Sequence, residues 1–430
     1  MTHVLSILVV GAGQAAAVAV AALRDQGYEG RITVVGREVH PPYERPPLSK
    51  AVLAAIDTDE PVIAVQAPDF FATRNVDLRL GVEVLSLEPG SRRAVLSDGS
   101  VVEYDRCLLA TGGSARVLPS FPPDLPQVHY LRTLDDARAL RAKLPGCERV
   151  VVIGGGFLGL EIASTARALG VAVSVIETAP RVLARAVPET FSSWLQGRAA
   201  LSGVTLYMGQ AITQVLRPDA LDAPVVITLA DGTELTAKVV VVAVGLMPDV
   251  QLACQAGLSI DSGNGGIAVD SQCRTSDAFI YAAGDCASQT RSGVSGAVRL
   301  ESWQNANEQA RIAATSMLNQ DASPAAYPWF WTDQFGCNVQ MLGLPQAGLE
   351  YITRGDTDAE NAAPRFLMLG LRDGKPYHAL AVNGAADLRC VRPLLERMSS
   401  IDVARFIDKS ITLREFAKTT LASANSPVSN

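Results

Sequence analysis

The sequence predicts an α/β chain that carries two Rossmann-like dinucleotide-binding units, and three stretches support this. In Val150–Glu177, VVVIGGGFLGLEIASTARALGVAVSVIE, the glycines Gly154, Gly156 and Gly159 form G-x-G-x-x-G. They follow the apolar run Val150–Ile153, open a helical pattern, and are followed by a second apolar run, Val171–Ile176, that closes on Glu177. A second such pattern starts at Val4–Val10 and turns at Gly11-Ala-Gly13-Gln-Ala-Ala16. It continues as an alanine-rich helix to Arg24 and a strand at Arg31–Val35. The third stretch is Ile280-Tyr-Ala-Ala-Gly284-Asp285, a short apolar strand ending on Gly-Asp. Strand, glycine turn, helix, strand and acid in register make a dinucleotide site, because the glycines let backbone approach a pyrophosphate at a helix N-terminus.

Composition sets the outer bounds. The chain has 430 residues, 48% hydrophobic and 19% charged, which describes an ordinary globular protein with ample core. A net charge of −7 gives no support for nucleic-acid binding. The 7 cysteines show no C-x-x-C spacing, which fits reduced thiols and argues against a metal site or a dithiol pair. No apolar run approaches the roughly 20 residues that span a bilayer, and no cleavable leader pattern precedes the first strand. The expectation is a soluble, cytoplasmic protein that binds neither metal, membrane nor nucleic acid.

Within the first loop, Ala16 stands where a third glycine would sit, and the position needs only a small residue. Its second strand ends on Gly36, so the ribose-binding acid expected there is missing and Glu38 becomes the candidate. Two further strand-to-glycine turns, Leu108-Leu-Ala-Thr111-Gly112-Gly113 and Val240–Gly245 before Leu-Met-Pro248-Asp249, are places where the chain can cross between domains. Asp285, at the carboxyl end of its strand, is placed to accept hydrogen bonds from ribityl or ribose hydroxyls. Leu85–Tyr104, Leu216–Val244 and Phe366–Val382 read as antiparallel segments turning at Asp98-Gly99, Asp231-Gly232 and Asp373-Gly374.

The two loops, the ATGG turn and the AAGD strand resemble the two-dinucleotide-binding flavoprotein reductases. Pro42-Tyr-Glu-Arg-Pro-Pro-Leu-Ser-Lys50, Arg299-Leu-Glu-Ser-Trp-Gln-Asn-Ala306 and Pro328-Trp-Phe-Trp-Thr-Asp-Gln334 are similar to the NADH-dependent ferredoxin reductases of the putidaredoxin reductase type. The resemblance implies a glutathione-reductase type fold with a discontinuous FAD domain (1–112 and 245–325), an inserted NADH domain (113–244) and an α+β C-terminal domain (326–430). It implies electron flow from NADH through bound FAD to a [2Fe–2S] ferredoxin serving a cytochrome P450 or a Rieske dioxygenase, in a monomer or dimer.

The site residues follow from the same resemblance. Around FAD it places Gly11, Gly13, Ala15, Glu38, Arg45, Lys50, Val84, Thr111, Gly112, Arg132, Gly245, Gly284, Asp285 and Trp303. Lys50, carried on an extended proline-rich support, would stabilise the negative charge that builds on reduced flavin. Arg45 has a competing use as a surface partner for Glu44. For NADH it places Gly154, Gly156 and Gly159 at the pyrophosphate and Glu177 on the adenosine ribose. Glu161, in the first turn of the helix, reaches toward the nicotinamide and Lys50. Trp331 is the candidate electron exit, with Trp329 and Phe330 as core or strand material. Arg311, on a helix spanning Asn305–Leu318, faces an acidic redoxin. The tail Ser423–Asn430 is expected to fray.

The rivals differ in acceptor chemistry. Disulphide reductases need a cysteine pair at the flavin, and NADH oxidases and peroxidases a lone cysteine where this chain has Pro42-Tyr43-Glu44. Rubredoxin reductases differ only in the acceptor. Apoptosis-inducing flavoproteins share the fold as redox-sensing proteins, with targeting segments and insertions that this sequence does not show. A carboxylate at Glu177 opposes a 2′-phosphate, so NADH is preferred to NADPH even with Arg181 and Arg185 nearby. Glu177→Ala is therefore expected to narrow the ratio of kcat/KM for NADH over NADPH; an unchanged ratio removes Glu177 from cofactor choice.

Overall fold

The computed structural model describes residues 4–424 apart from 218–219, 221–222, 292–293, 295 and 323–326. Two compact units divide the chain. The first contains Met1–Pro47, Pro61–Ser114 and Leu246–Ala326; the second contains Leu48–Glu60, Ala115–Gly245 and Tyr327–Asn430.

The first unit is built on a parallel sheet ordered Ile280–Ala282, Arg106–Leu109, Ser6–Val10, Arg31–Gly36, Val76–Leu80. Its inner strands are buried along almost their whole length, as expected of a sheet covered on both faces. The helices Gln14–Asp25 and Trp303–Met317 share one core cluster through Ala15, Ala16, Ala19, Ala306, Ala310 and Ala313, whose small side chains let backbones approach closely. The helix expected over Asn305–Leu318 begins earlier because Ser302 caps it by accepting the Asn305 N–H. The expected meander is present as the antiparallel strands Val84–Glu88, Arg93–Leu96 and Val101–Glu103.

The second unit repeats the plan, with a parallel sheet ordered Val204–Met208, Ala172–Glu177, Arg149–Ile153, Val239–Val242, Val128–His129. The stretch expected as one antiparallel pattern over Leu216–Val244 divides between two sheets. Ile212–Leu216, Val225–Leu229 and Glu234–Ala237 form the antiparallel one. The four-valine run Val239–Val242 has no polar face to offer solvent and joins the parallel sheet instead. The unit also holds a five-stranded antiparallel sheet ordered Trp329–Gln334, Cys337–Gly343, Lys375–Val382, Phe366–Arg372, Glu350–Gly355. Helices Ala385–Glu396, Val403–Ile407 and Leu413–Ala424 follow it. The expected frayed tail starts too early: Ser423 and Ala424 close the last helix, and 425–430 lie outside the described residues.

Residues 48–60, expected with the N-terminal segment, group with the second unit. Glu60 explains much of this: it pairs with Arg138 at 2.6 Å and Arg141 at 3.0 Å, two bases on the helix Leu134–Arg141. Among the described residues no helix is long and apolar enough to cross a membrane.

The strands flanking the two glycine loops pair in the same register, and the loops differ at the position facing the strand end. Val10 pairs with Val35 and Ile153 with Ile176, so Gly36 and Glu177 occupy equivalent strand ends. A Cβ on Gly36 would sit 2.4 Å from the Cβ of Ala12. In the other loop the residue equivalent to Ala12 is Gly155, and a glycine there leaves room for the Glu177 side chain. The acid is thus absent from the first loop because Ala12 occupies its space. Gly36→Ala is expected to destabilise the protein by about 1–3 kcal/mol through overpacking, and adding Ala12→Gly to recover most of it. Denaturant unfolding of the single and double variants checks this; equal losses contradict the steric account.

Candidate functional site

Both glycine loops hand their chain to a helix without capping it. Gly13 precedes Gln14–Asp25 and Gly156 precedes Phe157–Ala168, and neither end has a side-chain cap. Elsewhere Thr133 and Ser302 cap their helices with hydroxyls. Two helix N-termini therefore keep backbone donors and positive dipole ends available for an anion. A Cβ at Gly13 or Gly156 would meet no atom within 4 Å, so both open onto free space. Gly11 and Gly154 are different: they have φ of +105° and +110°, and a Cβ would lie 2.2 and 2.3 Å from the carbonyl oxygens of Ala110 and Ala243. At Gly159 a methyl would fall 2.1 Å from the Gly154 carbonyl, whereas the equivalent Ala16 accommodates its methyl fully buried. The residues present fit a dinucleotide pyrophosphate at each loop.

In the first unit stand Gly11, Gly13, Ala15, Glu38, Arg45, Val84, Thr111, Gly112, Gly284, Asp285, Trp303 and Arg311. Arg45 pairs with Glu38 at 2.6 Å, not with Glu44, and Tyr43 donates its hydroxyl to the same carboxylate at 2.5 Å. Burial pushes the Glu38 carboxyl up, but the Arg45 charge and the Tyr43 and Arg45 hydrogen bonds prevail and hold it below the usual range. Glu44 instead accepts the Trp303 indole N–H at 3.2 Å. Thr111 donates its hydroxyl to the Asp249 carbonyl at 2.6 Å, and the Asp249 N–H donates to Gly112 O at 3.0 Å, so the two strand-end turns are tied together. Gly284, at φ +86°, donates its N–H to the buried Gln309 amide at 2.9 Å. The Asp285 carbonyl accepts from Arg299 at 3.1 Å. Val84 is buried at the start of its strand, and Arg311 is exposed on an otherwise largely buried helix.

In the second unit stand Lys50, Arg132, Gly154, Gly156, Gly159, Glu161, Glu177, Gly245 and Trp331. Glu177 is fixed by its own loop: its oxygens accept the N–H groups of Gly155 and Ala179, each at 2.8 Å. Arg181 donates to the carbonyls of Ala184 and Val187, which commits its guanidinium to the neighbouring loop. Arg132 donates its backbone N–H to Asp136 at 3.0 Å, and Gly245 has φ of +114°.

Two expectations around Lys50 and Glu161 need correction. Pro46–Ser49 is a 3-10 turn, not extended, because proline suits the first positions of a helical turn. Glu161 lies one turn into its helix, which starts at Phe157 and has no acid in its first turn. The dipole at the helix end therefore does not account for this carboxylate, and its side-chain partners do. Lys50 pairs with it at 2.8 Å, Ser49 donates at 2.5 Å and Thr332 at 2.6 Å. Ser49 and Thr332 escaped the sequence reading; the one available signal was the alternation in Trp331-Thr-Asp-Gln334, whose second and fourth residues are buried. Trp329 and Trp331 stack with centroids 5.0 Å apart, and Phe330 packs on Phe157 at 4.7 Å; all three aromatics are half-buried strand residues, with Trp329 packed against the core of the five-stranded sheet.

The model of the family described as pyridine nucleotide-disulphide oxidoreductase matches residues 5–310, and the reductase C-terminal model matches 329–417. The chain belongs to the pyridine nucleotide-disulphide oxidoreductase family. Within this family it is 39% identical to the ferredoxin–NAD(+) reductase component of the anthranilate 1,2-dioxygenase system of Burkholderia cepacia, over 95% of this chain and 98% of that one. It is 38% identical to the rubredoxin–NAD(+) reductase of Pseudomonas putida over 79% and 86%. The solved covalent putidaredoxin reductase–putidaredoxin complex is similar with a TM-score of 0.90 at 33% identity, covering 98% of this chain and 99% of that chain. Despite the family's title, all 7 cysteines are free, and Cys107, Cys273, Cys286 and Cys337 are buried thiols.

The loop geometry separates fold from binding. Gly154→Ala is expected to lower stability by about 2 kcal/mol or more through the forced left-handed conformation and the carbonyl clash. Gly156→Ala is expected to change stability by only about 0.5 kcal/mol while raising the KM for NADH severalfold. Thermal unfolding and steady-state kinetics of the two variants check the contrast.

Proposed function

We propose that this protein is an FAD-dependent NADH:ferredoxin oxidoreductase. The observation that carries the reading is the pair of uncapped glycine loops in one chain, of which only the second retains an acid at the strand end. The first loop belongs to a unit whose Glu38 is held by Arg45 and Tyr43, and we assign FAD to it. The second, closed by Glu177, is assigned to NADH. On this reading the FAD domain is 1–112 with 245–325, the NADH domain 113–244 and the C-terminal domain 326–430.

When bound, FAD supplies the conversion of a two-electron hydride into single electrons. One NADH then reduces two one-electron acceptors and releases one proton. The chain's own residues supply position and charge. The N-termini at Gly13 and Gly156 hold the two pyrophosphates. Glu177, already oriented by Gly155 and Ala179, reads the adenosine ribose, and Arg181 is too engaged to offset a 2′-phosphate there. Glu161 is a fixed negative charge suited to the nicotinamide, which becomes cationic as hydride leaves. Lys50 supplies the positive charge that the resemblance assigns to reduced flavin. Trp331 is the proposed exit for single electrons.

For the acceptor, a [2Fe–2S] ferredoxin of a cytochrome P450 or Rieske dioxygenase system agrees with the dioxygenase component and the putidaredoxin complex among the similar proteins. Rubredoxin is the second reading, favoured by the rubredoxin reductase at comparable identity. The protein is read as a cytoplasmic monomer or dimer. Stopped-flow reduction by NADH, followed by mixing with [2Fe–2S] ferredoxins and a rubredoxin, decides between acceptors; fast NADH reduction with no transfer to any of them rejects the function. Arg311, exposed on the Trp303–Met317 helix, is assigned to docking of an acidic redoxin. Arg311→Glu is expected to slow ferredoxin reduction about tenfold at low salt, less at high salt, because complementary charge chiefly speeds encounter. Ferricyanide reduction stays intact; equal loss in both assays removes the docking role.

A further inference from the structure

The buried carboxylate of Glu161 has a support that the pairing with Lys50 does not explain. Glu161 is 8% exposed, and both of its oxygens are engaged. Oε1 takes Lys50 Nζ at 2.8 Å and the Thr332 hydroxyl at 2.6 Å, while Oε2 takes the Ser49 hydroxyl at 2.5 Å. Thr332 is in turn oriented. The Gln334 amide donates one hydrogen to the Thr332 oxygen at 2.9 Å and the other to the carbonyl of Phe157 at 3.2 Å. The Thr332 oxygen thus accepts from Gln334 while its single proton is donated to Glu161. The result is a one-way chain from Gln334 through Thr332 to the carboxylate, buried throughout, where such bonds strengthen one another. On the other side, Thr165, one helical turn beyond Glu161, donates its hydroxyl to the Ser49 carbonyl at 2.7 Å and pins the donor of Oε2.

We infer that Thr332 is a positioning residue for NADH oxidation: with Gln334 behind it and Ser49 opposite, it fixes the Glu161 carboxylate in one orientation independently of Lys50. This rests on the proposed role of Glu161 toward the nicotinamide. A salt bridge to a flexible lysine alone leaves the carboxylate free to rotate or to follow the lysine. Two neutral hydroxyls on different oxygens fix its plane without neutralising its charge. Electrostatic help in a transition state depends on charge that is already oriented when hydride moves, since reorientation at that moment adds to the barrier.

The test uses the FAD-loaded enzyme in stopped-flow reduction by NADH, with NAD(+) binding measured separately by calorimetry. Thr332→Val, which removes the hydroxyl at nearly constant shape, is expected to lower the limiting reduction rate about tenfold, as loss of a hydrogen bond to a charged group can. NADH dissociation constants and NAD(+) affinity stay within about twofold, since adenosine recognition resides at Glu177. Thr332→Ser keeps the donor, loses the methyl, and is expected to restore most of the rate. Ser49→Ala, which strips the other oxygen, gives the same split between rate and affinity and serves if Thr332→Val does not fold. An unchanged rate in Thr332→Val, or a loss in Thr332→Ser as large as in Thr332→Val, overturns the positioning role. Glu161→Gln separates the two levels: if it is slowed while Thr332→Val is not, only the inference about Thr332 fails. If Glu161→Gln reduces at the normal rate, the role of Glu161 fails with it.

Discussion

A carboxylate taken out of water must be met by donors, and in the second unit this requirement joins segments far apart in the chain. Ser49 lies 112 residues before Glu161, and Thr332 lies 171 residues after it. The helix Phe157–Ala168 is where all three segments meet, with Phe335 donating its N–H to Ser164 at 2.7 Å and Phe330 packing on Phe157. Each donor lost leaves the buried charge less completely matched, so all three segments contribute to its stability as well as its geometry. These contacts, with the Glu60 pairs to Arg138 and Arg141, lie within the compact unit that groups 48–60 and 327–430 with 115–245.

Much of the fold could be read from residue order. The inner parallel strands announced themselves as apolar runs, the glycine turns by their spacing, and the meander at 84–103 by Asp98-Gly99, whereas the edge strands Val76–Leu80, Val204–Met208 and Val128–His129 carry no such run. What could not be read were features decided by distant partners. Nothing local says that Arg45 chooses Glu38 over its neighbour Glu44: Tyr43 joins the Glu38–Arg45 pair, and Glu44 is taken by Trp303, 259 residues away. Nothing local separates Val239–Val242 from the antiparallel strands before it except that all four of its side chains are buried. The hydroxyls on Glu161 were hidden for the same reason: beyond the alternation around Thr332, nothing local marks the serine at 49 and the threonine at 332 as partners of that carboxylate.

The two glycine loops show how one architecture allows or forbids an acid at the strand end through an exchange of bulk. Where the middle residue of the loop is Ala12, the following strand must end in glycine; where it is Gly155, the strand can end in Glu177. Whether the strand can end in an acid is thus set by the residue facing it across the turn, and the first unit instead carries a carboxylate two residues further on, at Glu38. There, Arg45 and Tyr43 provide the orientation that loop backbone provides for Glu177.

The strand Trp329–Gln334 places its odd-numbered residues on one face and Thr332 and Gln334 on the other. Six residues thus carry two interleaved messages, an aromatic stack and a pair of polar donors, written on alternate letters of a single word. Sliding that word by one letter would bury an indole where a hydroxyl must meet a carboxylate and turn the hydroxyl toward the aromatic face. Neither message can be edited by insertion or deletion without destroying the other. The two can change only one letter at a time, within a frame held by the six-residue pairing with Cys337–Leu342.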